Sequence, residues 1–298
     1  MTQIVLPEGE HPLVFYLAAE EFVADNFFRL FPSNGMQNRA DSSCGTSVSC
    51  STLGESPSAW NTRGAFFIWQ VPPTVIFGRN QDMYAEVNVS YCRSNGVRMF
   101  RRKSGGGCVY ADWGNIMISY IRPCADGVQS LFSEYLSLLS SFLRTLGLNA
   151  EVSGRNDVLV DGRKVSGNAF SLRTNGVGIV HGTLLYDLDF AAMSAAITPS
   201  RSKLESKGVK SVEQRVLNLK EKLDGEISMR QESLGRQKTP SEAKNMGLDA
   251  LKSAIISYFC CDELKLSEGD ISQISEIERT YLDPVFIRGR RGASDDSL

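Results

Sequence analysis

The segment RRKSGGGCVYADWGN, residues 101–115, contains the residue types of an anion-binding turn. Glycine has no Cβ, so three consecutive glycines at 105–107 would allow several backbone N–H groups to converge on one phosphate. The three cations before them, at 101–103, would supply positive charge at the entrance. A glycine triplet is also typical of a plain tight turn between two strands, so this segment alone leaves both interpretations open.

A second candidate is the segment GRNDVLVDGRKVSGNAF, residues 154–170. Asp161 and Gly162 are typical of a tight hairpin turn, and Lys164 follows on the returning strand. The alternation of side chains along a strand predicts that Lys164 and Ser166 share one face. A lysine beside a turn is usually a solvated edge charge, but the small residues after it would let a ligand approach the backbone closely.

His181, one of two histidines in the chain, precedes Gly182 and Thr183 inside an apolar strand. It is interpreted either as a site residue or as a core histidine whose ring is hydrogen-bonded to the backbone. Downstream, residues 198–219 carry more cations than acids, which is typical of a solvated helix face or a surface loop. These cations are Arg201, Lys203, Lys207, Lys210 and Arg215.

Hydrophobic periodicity predicts the elements that must position these residues. Apolar residues at helical spacing predict helices over 14–30, 128–146, about 212–219, 248–259 and 271–281. Strands are predicted at 65–70, 74–78, 97–102, 115–121, 157–160, 164–172 and 177–186. The first two are expected to form a pair around a turn. Strands in hairpins and helices in separate runs predict an α+β fold with a central, largely antiparallel sheet flanked by helices.

Composition excludes several classes of protein. The chain has 298 residues, 42% of them apolar, and a net charge of −2, which argues against a nucleic-acid-binding surface as its main feature. No apolar run is long enough for a membrane span or a leader, so a soluble cytoplasmic protein is expected. Seven cysteines without a CxxC pair and two histidines do not favour a zinc site, and the thiols are expected to be reduced. Residues 32–63 predict a flexible insertion.

Five segments, in this order along residues 67–219, resemble the lipoate-protein ligase A family of the biotin/lipoate protein ligase superfamily. They are FIWQVPPTVIFGRNQD, VRMFRRKSGGGCVYADWGN, GRNDVLVDGRKVSGNAF, VHGTLLYD and KLESKGVKSVEQRVLNL. The resemblance implies a biotin/lipoate protein ligase-like catalytic domain and a two-step reaction. Lipoate and Mg-ATP would give lipoyl-AMP and pyrophosphate, and the lipoyl group would then pass to one lysine of a lipoyl carrier domain.

The resemblance also implies roles for individual residues. Lys164 is implied as the catalytic residue, because a carboxylate that attacks an anionic phosphate needs positive charge nearby. The implied ATP- and adenylate-binding residues are Lys164, Arg102, Gly105, Gly106, Gly107, Cys108, Val109 and Tyr110. The implied lipoate-binding residues are Lys164, Ser104, His181 and Thr183. Residues implied to line the pocket or hold Mg²⁺, with the metal ligands left open, are Asn115, Asn156 and Asp157. Candidate walls of an apolar slot, or ordinary sheet core, are Trp69, Val75 and Phe77.

The chain departs from the family pattern at Ala111 and Val180, where many members have histidine. Residues 1–225 are expected to form the catalytic domain, with the insertion at about 32–63. Residues 226–298 are expected to form a C-terminal helical part that completes it. The separate accessory domain of many members is expected to be absent, which leaves open whether activation needs a second protein.

The implied partners are lipoyl carrier domains, namely 2-oxoacid dehydrogenase E2 subunits and the glycine-cleavage H protein. Neither nucleic acid nor membrane is expected as a partner, and the chain is expected to be a monomer. Residues 201–215 are a candidate docking or nucleotide-sealing surface. Two other functions stay open: a lipoyltransferase that uses preformed lipoyl-AMP or a separate activating protein, and an octanoyltransferase that uses Cys108 as a thiolate. A homologue that binds without turnover would lack Lys164 or Arg102, and both are present.

Overall fold

Two β-sheets, one of eight strands and one of three, organise the part of the chain that the structure describes. The structure is a computed structural model, and it describes residues 1–32, 63–154, 156–198, 215–224 and 246–289. The fold is α+β, as the sequence predicts, and most strand pairs of the large sheet are antiparallel. Apart from its two end residues, the predicted insertion at 32–63 lies outside the described residues.

The large sheet carries the residues of the predicted site. Its strands are β1 (Thr2–Val5), β2 (Ala65–Trp69), β6 (Asn115–Pro123), β7 (Ala150–Ser153), β8 (Asp157–Val160), β9 (Arg163–Leu172), β10 (Val177–Leu185) and β11 (Asp262–Lys265). Their order across the sheet is β11-β1-β2-β6-β10-β9-β8-β7. β1 pairs in parallel with both β11 and β2, and the other neighbours are antiparallel. Asp161 and Gly162, with φ of 49° and 75°, form the tight turn predicted between β8 and β9.

Helices cover both faces of the large sheet. One face packs against α1 (Leu13–Asp25), α2 (Phe27–Leu30) and α8 (Glu268–Tyr281), and the other against α5 (Val128–Thr145) and α7 (Leu248–Phe259). β2 shows this division, because alternate side chains point to opposite faces. Phe67 and Trp69 belong to the core under α1, whereas Phe66 stacks on Phe259 of α7 with 4.6 Å between ring centroids.

α5 forms where the sequence predicts it, because one stripe of its surface is apolar. It begins after Gly127 and ends shortly before Gly147, both of which have a positive φ. The buried apolar stripe consists of Leu131, Phe132, Tyr135, Leu136, Leu139, Phe142 and Leu143. It shares a core with Val158 and Val165, so α5 supports the β8–β9 hairpin from behind.

The small sheet carries the glycine triplet between two of its strands. It contains β3 (Thr74–Phe77), β4 (Arg98–Arg101) and β5 (Val109–Ala111), in the order β4-β3-β5. Three short helices pack with it around a separate apolar cluster: α3 (Met83–Glu86), α4 (Val89–Ser94) and α6 (Phe190–Ala196). A further short helix, α9 (Pro284–Arg288), lies against β4.

Some sequence predictions differ from the structure. The expected pair at 65–70 and 74–78 is wrong, because β2 joins the large sheet and β3 the small one. The helix predicted at 212–219 is wrong at residues 216–218, where Val216 forms a parallel bridge to Lys164, and helical structure begins only at Leu219. α8 begins three residues earlier than predicted, because Ser267 and Asp270 form a capping box. The sequence does not predict β1, β5, β7 and β11, which are too short for a periodic pattern. Within the described ranges, no helix has the length and apolar character to cross a bilayer.

Candidate active site

The candidate active site is a cavity of about 130 Å³ between the α1 face of the large sheet and the glycine turn of the small sheet. Its apolar wall consists of Leu17, Trp69, Ile76 and Met117. The polar residues that line it are Arg102, Asn156, Lys164, Asn168, His181 and Thr183. Residues 106–109 also line it. Lys164 and the glycine turn therefore meet at one cavity, as the sequence predicts.

Arg102 holds the glycine turn in shape. Its Nη2 donates to the carbonyls of Gly105 and Gly107 at 2.7 Å each, and its Nη1 donates to the carbonyl of Ile76 at 3.0 Å. Gly106 has a φ of 96°, and an added Cβ there would lie 2.8 Å from Arg102 Nη2. Burial lowers the pKa of Arg102 to about 10, so it remains protonated at neutral pH. Gly106 and Gly107 line the cavity, whereas Gly105 is joined to it through Arg102.

Arg101 and Lys103 do not line this cavity, so the expectation that all three cations supply charge at its entrance is wrong. Lys103 forms an ion pair with Glu21 at 2.7 Å and donates to Thr280 at 2.9 Å. Arg101 is buried and donates to the carbonyls of Gly78, Arg79, Gln81, Phe286, Ile287 and Arg288. Arg101 therefore connects β4 of the small sheet to α9. Lys103, just after β4, connects this segment to α1 and α8.

Lys164 reaches the cavity from the large sheet. Its side chain lies across Gly167, where an added Cβ would sit 2.5 Å from Lys164 Nζ. Nζ forms an ion pair with Asp157 Oδ1 at 2.7 Å, and Asp157 Oδ2 accepts from Arg215 Nη2 at 2.8 Å. Thr183, on the neighbouring strand, accepts from the N–H of Gly167 at 3.3 Å. Asp157, predicted as a pocket or metal residue, is therefore a partner of two cations.

A β-bulge sets the direction of the Lys164 side chain. The register of β8 against β9 shifts just after the Val158–Ser166 pair, because β9 has one residue more than β8 there. The predicted shared face of Lys164 and Ser166 is wrong: Ser166 is fully buried and accepts from Asn168 Nδ2 at 3.1 Å. Lys164 instead lies on the same side as Gly167.

Asn168 lines the cavity, although it is not among the predicted site residues. Asn168 Nδ2 donates to the carbonyl of Asn156 at 3.0 Å, and Asn156 Nδ2 donates to the carbonyl of Asn168 at 3.0 Å. This reciprocal pair ties the turn before β8 to β9 and keeps Asn156 at the cavity wall. Asparagine is rare inside strands, so its presence within a strand pattern is a signal that the sequence offers.

His181 belongs to a chain of hydrogen-bonded side chains beside the cavity. Its Nε2 lies 2.7 Å from Ser104 Oγ and its Nδ1 lies 2.8 Å from Glu20 Oε2. Ser119 donates to Glu20 Oε1 at 2.6 Å and accepts from Trp69 Nε1 at 2.9 Å. The ring is therefore held by side chains and not by backbone groups, and Ser104 contacts the ring without lining the cavity. Glu20 was missed, although an acid inside a buried apolar helix is unusual.

Several predicted residues lie away from the cavity lining. Val75, Phe77 and Tyr110 pack in the apolar cluster of the small sheet. For Val75 and Phe77 the core interpretation is right and the slot-wall prediction is wrong, whereas Trp69 does line the cavity. Asn115 is buried at the start of β6, where its Nδ2 lies 3.1 Å from Met117 Sδ and its Oδ1 has no hydrogen-bond partner among the described residues.

Cys108 lines the cavity, but its surroundings do not activate a thiolate. Burial raises the pKa of Cys108 to about 12 although the charge of Arg102 opposes the shift. Since the thiolate is the nucleophile in cysteine-dependent transfer, little of the reactive form exists at neutral pH. Free thiols within the described part of the chain are Cys92, Cys108, Cys124, Cys260 and Cys261.

The described residues do not form a metal site on their own. They contain no group of three or more His, Cys, Asp or Glu side chains that could hold an ion. Both oxygens of Asp157 already pair with cations. Mg²⁺ in nucleotide enzymes is held largely by phosphates and water, so this donor set fits an ion that arrives with a nucleotide.

The predicted docking segment contributes one residue to the described part of the chain. Arg215 pairs with Asp157 inside the molecule. The cations outside the described residues are Arg201, Lys203, Lys207 and Lys210.

Comparison with known proteins assigns the family. A sequence profile described as "Lipoyl protein ligase A/B catalytic domain" matches residues 51–233, more than half of the chain. The chain belongs to this family. The match includes the glycine turn, Lys164 and His181, so the three segments that meet at the cavity all lie within the residues that match this family.

Two relatives in this family are similar to about half of the chain. The probable lipoate-protein ligase A of Mycoplasma pneumoniae is 42% identical over 158 residues, which cover 53% of this chain and 46% of that protein. Lipoate-protein ligase LplJ of Bacillus subtilis is 41% identical over 156 residues, which cover 52% and 47%. The aligned part of this ligase-family chain spans about half the length of these relatives.

The fold of the ligase-family chain is also found in a solved structure of a bipartite lipoate protein ligase from Thermoplasma acidophilum, described with its E2 lipoyl domain. The TM-score is 0.65 at 22% identity, and the match covers 97% of this chain and 96% of that chain. At this identity the likeness concerns the fold.

Proposed function

We propose that this chain is a lipoate-protein ligase that activates lipoate with Mg-ATP and transfers the lipoyl group to a lysine of a lipoyl carrier domain. The observation that carries the proposal is that an amine, a glycine turn and an apolar wall line one cavity. The amine of Lys164 and the backbone N–H groups of the turn suit a phosphate, and the apolar wall suits an acyl chain. The family membership and the names of the two relatives support the same reaction.

The first proposed step forms lipoyl-AMP. A carboxylate oxygen of lipoate attacks the α-phosphorus of ATP, the bond from that phosphorus to the pyrophosphate oxygen breaks, and pyrophosphate leaves. Both reactants are anions, so Lys164 offsets their repulsion and stabilises the charge that develops on the phosphoryl oxygens. Mg²⁺ accompanies ATP and neutralises part of the charge on its phosphates.

The second proposed step forms the amide. The carrier lysine amine attacks the acyl carbon, the bond from that carbon to the AMP oxygen breaks, and AMP leaves with this oxygen while the amine proton passes to solvent. An acyl-adenylate is prone to hydrolysis, so exclusion of water matters. Trp69, Ile76 and Met117 form an apolar wall that holds the acyl chain and keeps water away from it.

The proposed acceptors are E2 lipoyl domains, because the related ligase of Thermoplasma acidophilum is described with such a domain. Four further points stay predictions: the glycine-cleavage H protein as a second acceptor, a separate accessory protein, a monomeric state and a cytoplasmic location. The same holds for the division of the chain at residue 225.

The test is acylation of an apo E2 lipoyl domain, followed as an increase in its mass. Lys164→Met should lower the rate by about a thousandfold or more, since a charge aimed at the transition state is lost. The matched control is Lys222→Met, which removes a lysine that pairs with Asp161 at the turn of the same hairpin. The control should keep the wild-type rate, and both variants should keep the wild-type melting temperature.

Carrier acylation at the wild-type rate by Lys164→Met would contradict the proposal. Lipoate-dependent exchange between ATP and pyrophosphate by the chain alone would support autonomous activation. Transfer from synthetic lipoyl-AMP without such exchange would instead identify a lipoyltransferase that depends on a separate activating protein.

A further inference from the structure

Asp157 connects two cations that are far apart in the sequence. Its Oδ1 lies 2.7 Å from Lys164 Nζ, and its Oδ2 lies 2.8 Å from Arg215 Nη2. The Asp157 side chain is 12% exposed, so solvent screens these two contacts only partly. Each carboxylate oxygen therefore has its own cation.

Arg215 is held beside Lys164 by the backbone. Val216 forms a parallel bridge to Lys164, and the N–H of Leu217 donates to the carbonyl of Lys164 at 2.9 Å. Asn218 then exchanges two hydrogen bonds of 2.9 Å with the backbone of Leu188. Since Leu217 is fully buried, this segment is packed against the start of β9 and is not a loosely attached surface strand.

The shared carboxylate sets how strongly Lys164 is held. A carboxylate that pairs with one cation only attracts it more strongly than a carboxylate whose charge is divided between two. Arginine is suited to such sharing, because its planar guanidinium stays charged and binds carboxylates in a fixed geometry. Arg215 therefore weakens the hold of Asp157 on Lys164 and also fixes the position of the Asp157 side chain.

We propose that Arg215 is a positioning residue that acts through Asp157 on Lys164. It keeps the lysine amine at the cavity wall and available to an anion there, without touching the reactants itself. The proposal rests on the function proposed above and assigns Arg215 a role different from carrier docking.

The activity test compares Arg215→Gln and Arg215→Lys with the wild type. Arg215→Gln should lower kcat for lipoate-dependent pyrophosphate exchange about tenfold, and Arg215→Lys should recover most of the loss. The KM for the E2 lipoyl domain should not change in either variant. The matched control is Arg163→Gln, which removes the neighbouring cation on β9 whose partner Glu221 lies 4.0 Å away, and it should keep wild-type kcat. An unchanged kcat in Arg215→Gln, or an effect on carrier KM alone, would overturn the proposal.

A double-mutant cycle tests whether Asp157 transmits the effect. If it does, Arg215→Gln should cause no further loss in an Asp157→Asn background, because the shared carboxylate is already absent. Losses that simply add would show that Arg215 acts by another route and would overturn the proposal.

A second measurement does not depend on lipoate chemistry. Acetic anhydride acetylates free amines, and peptide mass spectrometry gives the rate at Lys164. Arg215→Gln should slow this rate about threefold, since the amine is held more strongly, and Asp157→Asn should speed it. Equal rates in all variants would overturn the coupling. A wild-type chain with these rates but without any exchange or transfer would instead contradict the proposed ligase function.

Discussion

Two cationic regions border the same cavity and use their charges differently. At 101–103, the side-chain donors bind the protein itself: Arg101 and Arg102 donate to backbone carbonyls, and Lys103 pairs with Glu21. On β9, Lys164 lines the cavity and pairs with a carboxylate shared with Arg215. Cations beside a glycine triplet therefore need not bind a ligand, because carbonyl groups from distant segments compete for their donors.

The largest effect on stability is expected at Arg101. Arg101→Met removes the side-chain donor that six backbone carbonyls share and should lower the free energy of unfolding by about 3 kcal/mol. The control is Arg98→Met on the same strand, where the side chain is exposed and the change should be small. Urea denaturation measures both. If Arg101→Met had the same free energy of unfolding as the wild type, the conclusion that Arg101 stabilises the fold would be wrong.

At Gly167, in contrast to Arg101, a substitution is expected to lower activity and to leave stability nearly unchanged. A Cβ in Gly167→Ala would lie 2.5 Å from Lys164 Nζ and 2.7 Å from Cε, so the flexible end of the lysine must move. Carrier acylation should fall about tenfold while the melting temperature changes little, because a small misplacement of a reacting group is costly. Gly247→Ala, which meets no heavy atom within 4 Å, is the control. A loss of stability without a loss of activity would contradict the placement of Lys164.

Glu21 should make the stability of the 101–103 region depend on pH. It accepts from Lys103 at 2.7 Å and from Arg173 at 2.9 Å. Burial alone would raise the pKa of Glu21, but these two cations together outweigh it and lower the pKa below the ordinary value. A carboxylate with a lowered pKa stabilises the fold fully above its unfolded-state pKa, and this contribution is lost as the pH falls through the folded-state pKa.

Glu21→Gln should therefore cost about 2 kcal/mol of unfolding free energy at pH 7. The difference from the wild type should shrink as the pH falls below 4.5, the ordinary value for glutamate. Urea titrations at several pH values measure this. A difference that stays constant with pH would mean that the charge of Glu21 does not stabilise the region.

The smallest effect is expected at Cys108. Because burial raises the pKa of its thiol to about 12, Cys108→Ala should keep carrier acylation within about threefold of the wild type. A fall in the acylation rate of a hundredfold or more, with the fold intact, would favour the cysteine-dependent transferase instead.

Most residues of the site could be predicted from the sequence, whereas the orientation of their side chains could not. Lys164, Gly106, Gly107 and His181 lie in recognisable segments and do line the cavity. Alternation along a strand placed Ser166 beside Lys164, and the β-bulge reversed this. A bulge depends on how two strands pair, which the period of one strand does not report.

Partners that are distant in sequence were also missed. Glu20 is 161 residues from His181, and Arg101 is 185 residues from the carbonyl of Phe286. Periodicity describes the backbone over one or two turns or a few strand residues, so it cannot show which donor meets which acceptor. The sequence does not predict short strands such as β1, β5 and β11 for a related reason. They are strands because of the strands with which they pair, and not because of a pattern in their own residues.

The amino-acid order by itself determined the α+β class, the long helices and hairpins, and the three segments that supply the cavity, because apolar spacing and turn residues act locally. Only the tertiary structure decided that Arg101 and Lys103 pair with groups of the protein away from the cavity, whereas Arg102 and Lys164 line it. That outcome depends on where buried carbonyls and carboxylates from remote strands and helices lie, and buried donors must pair with whichever acceptors the folded chain brings close.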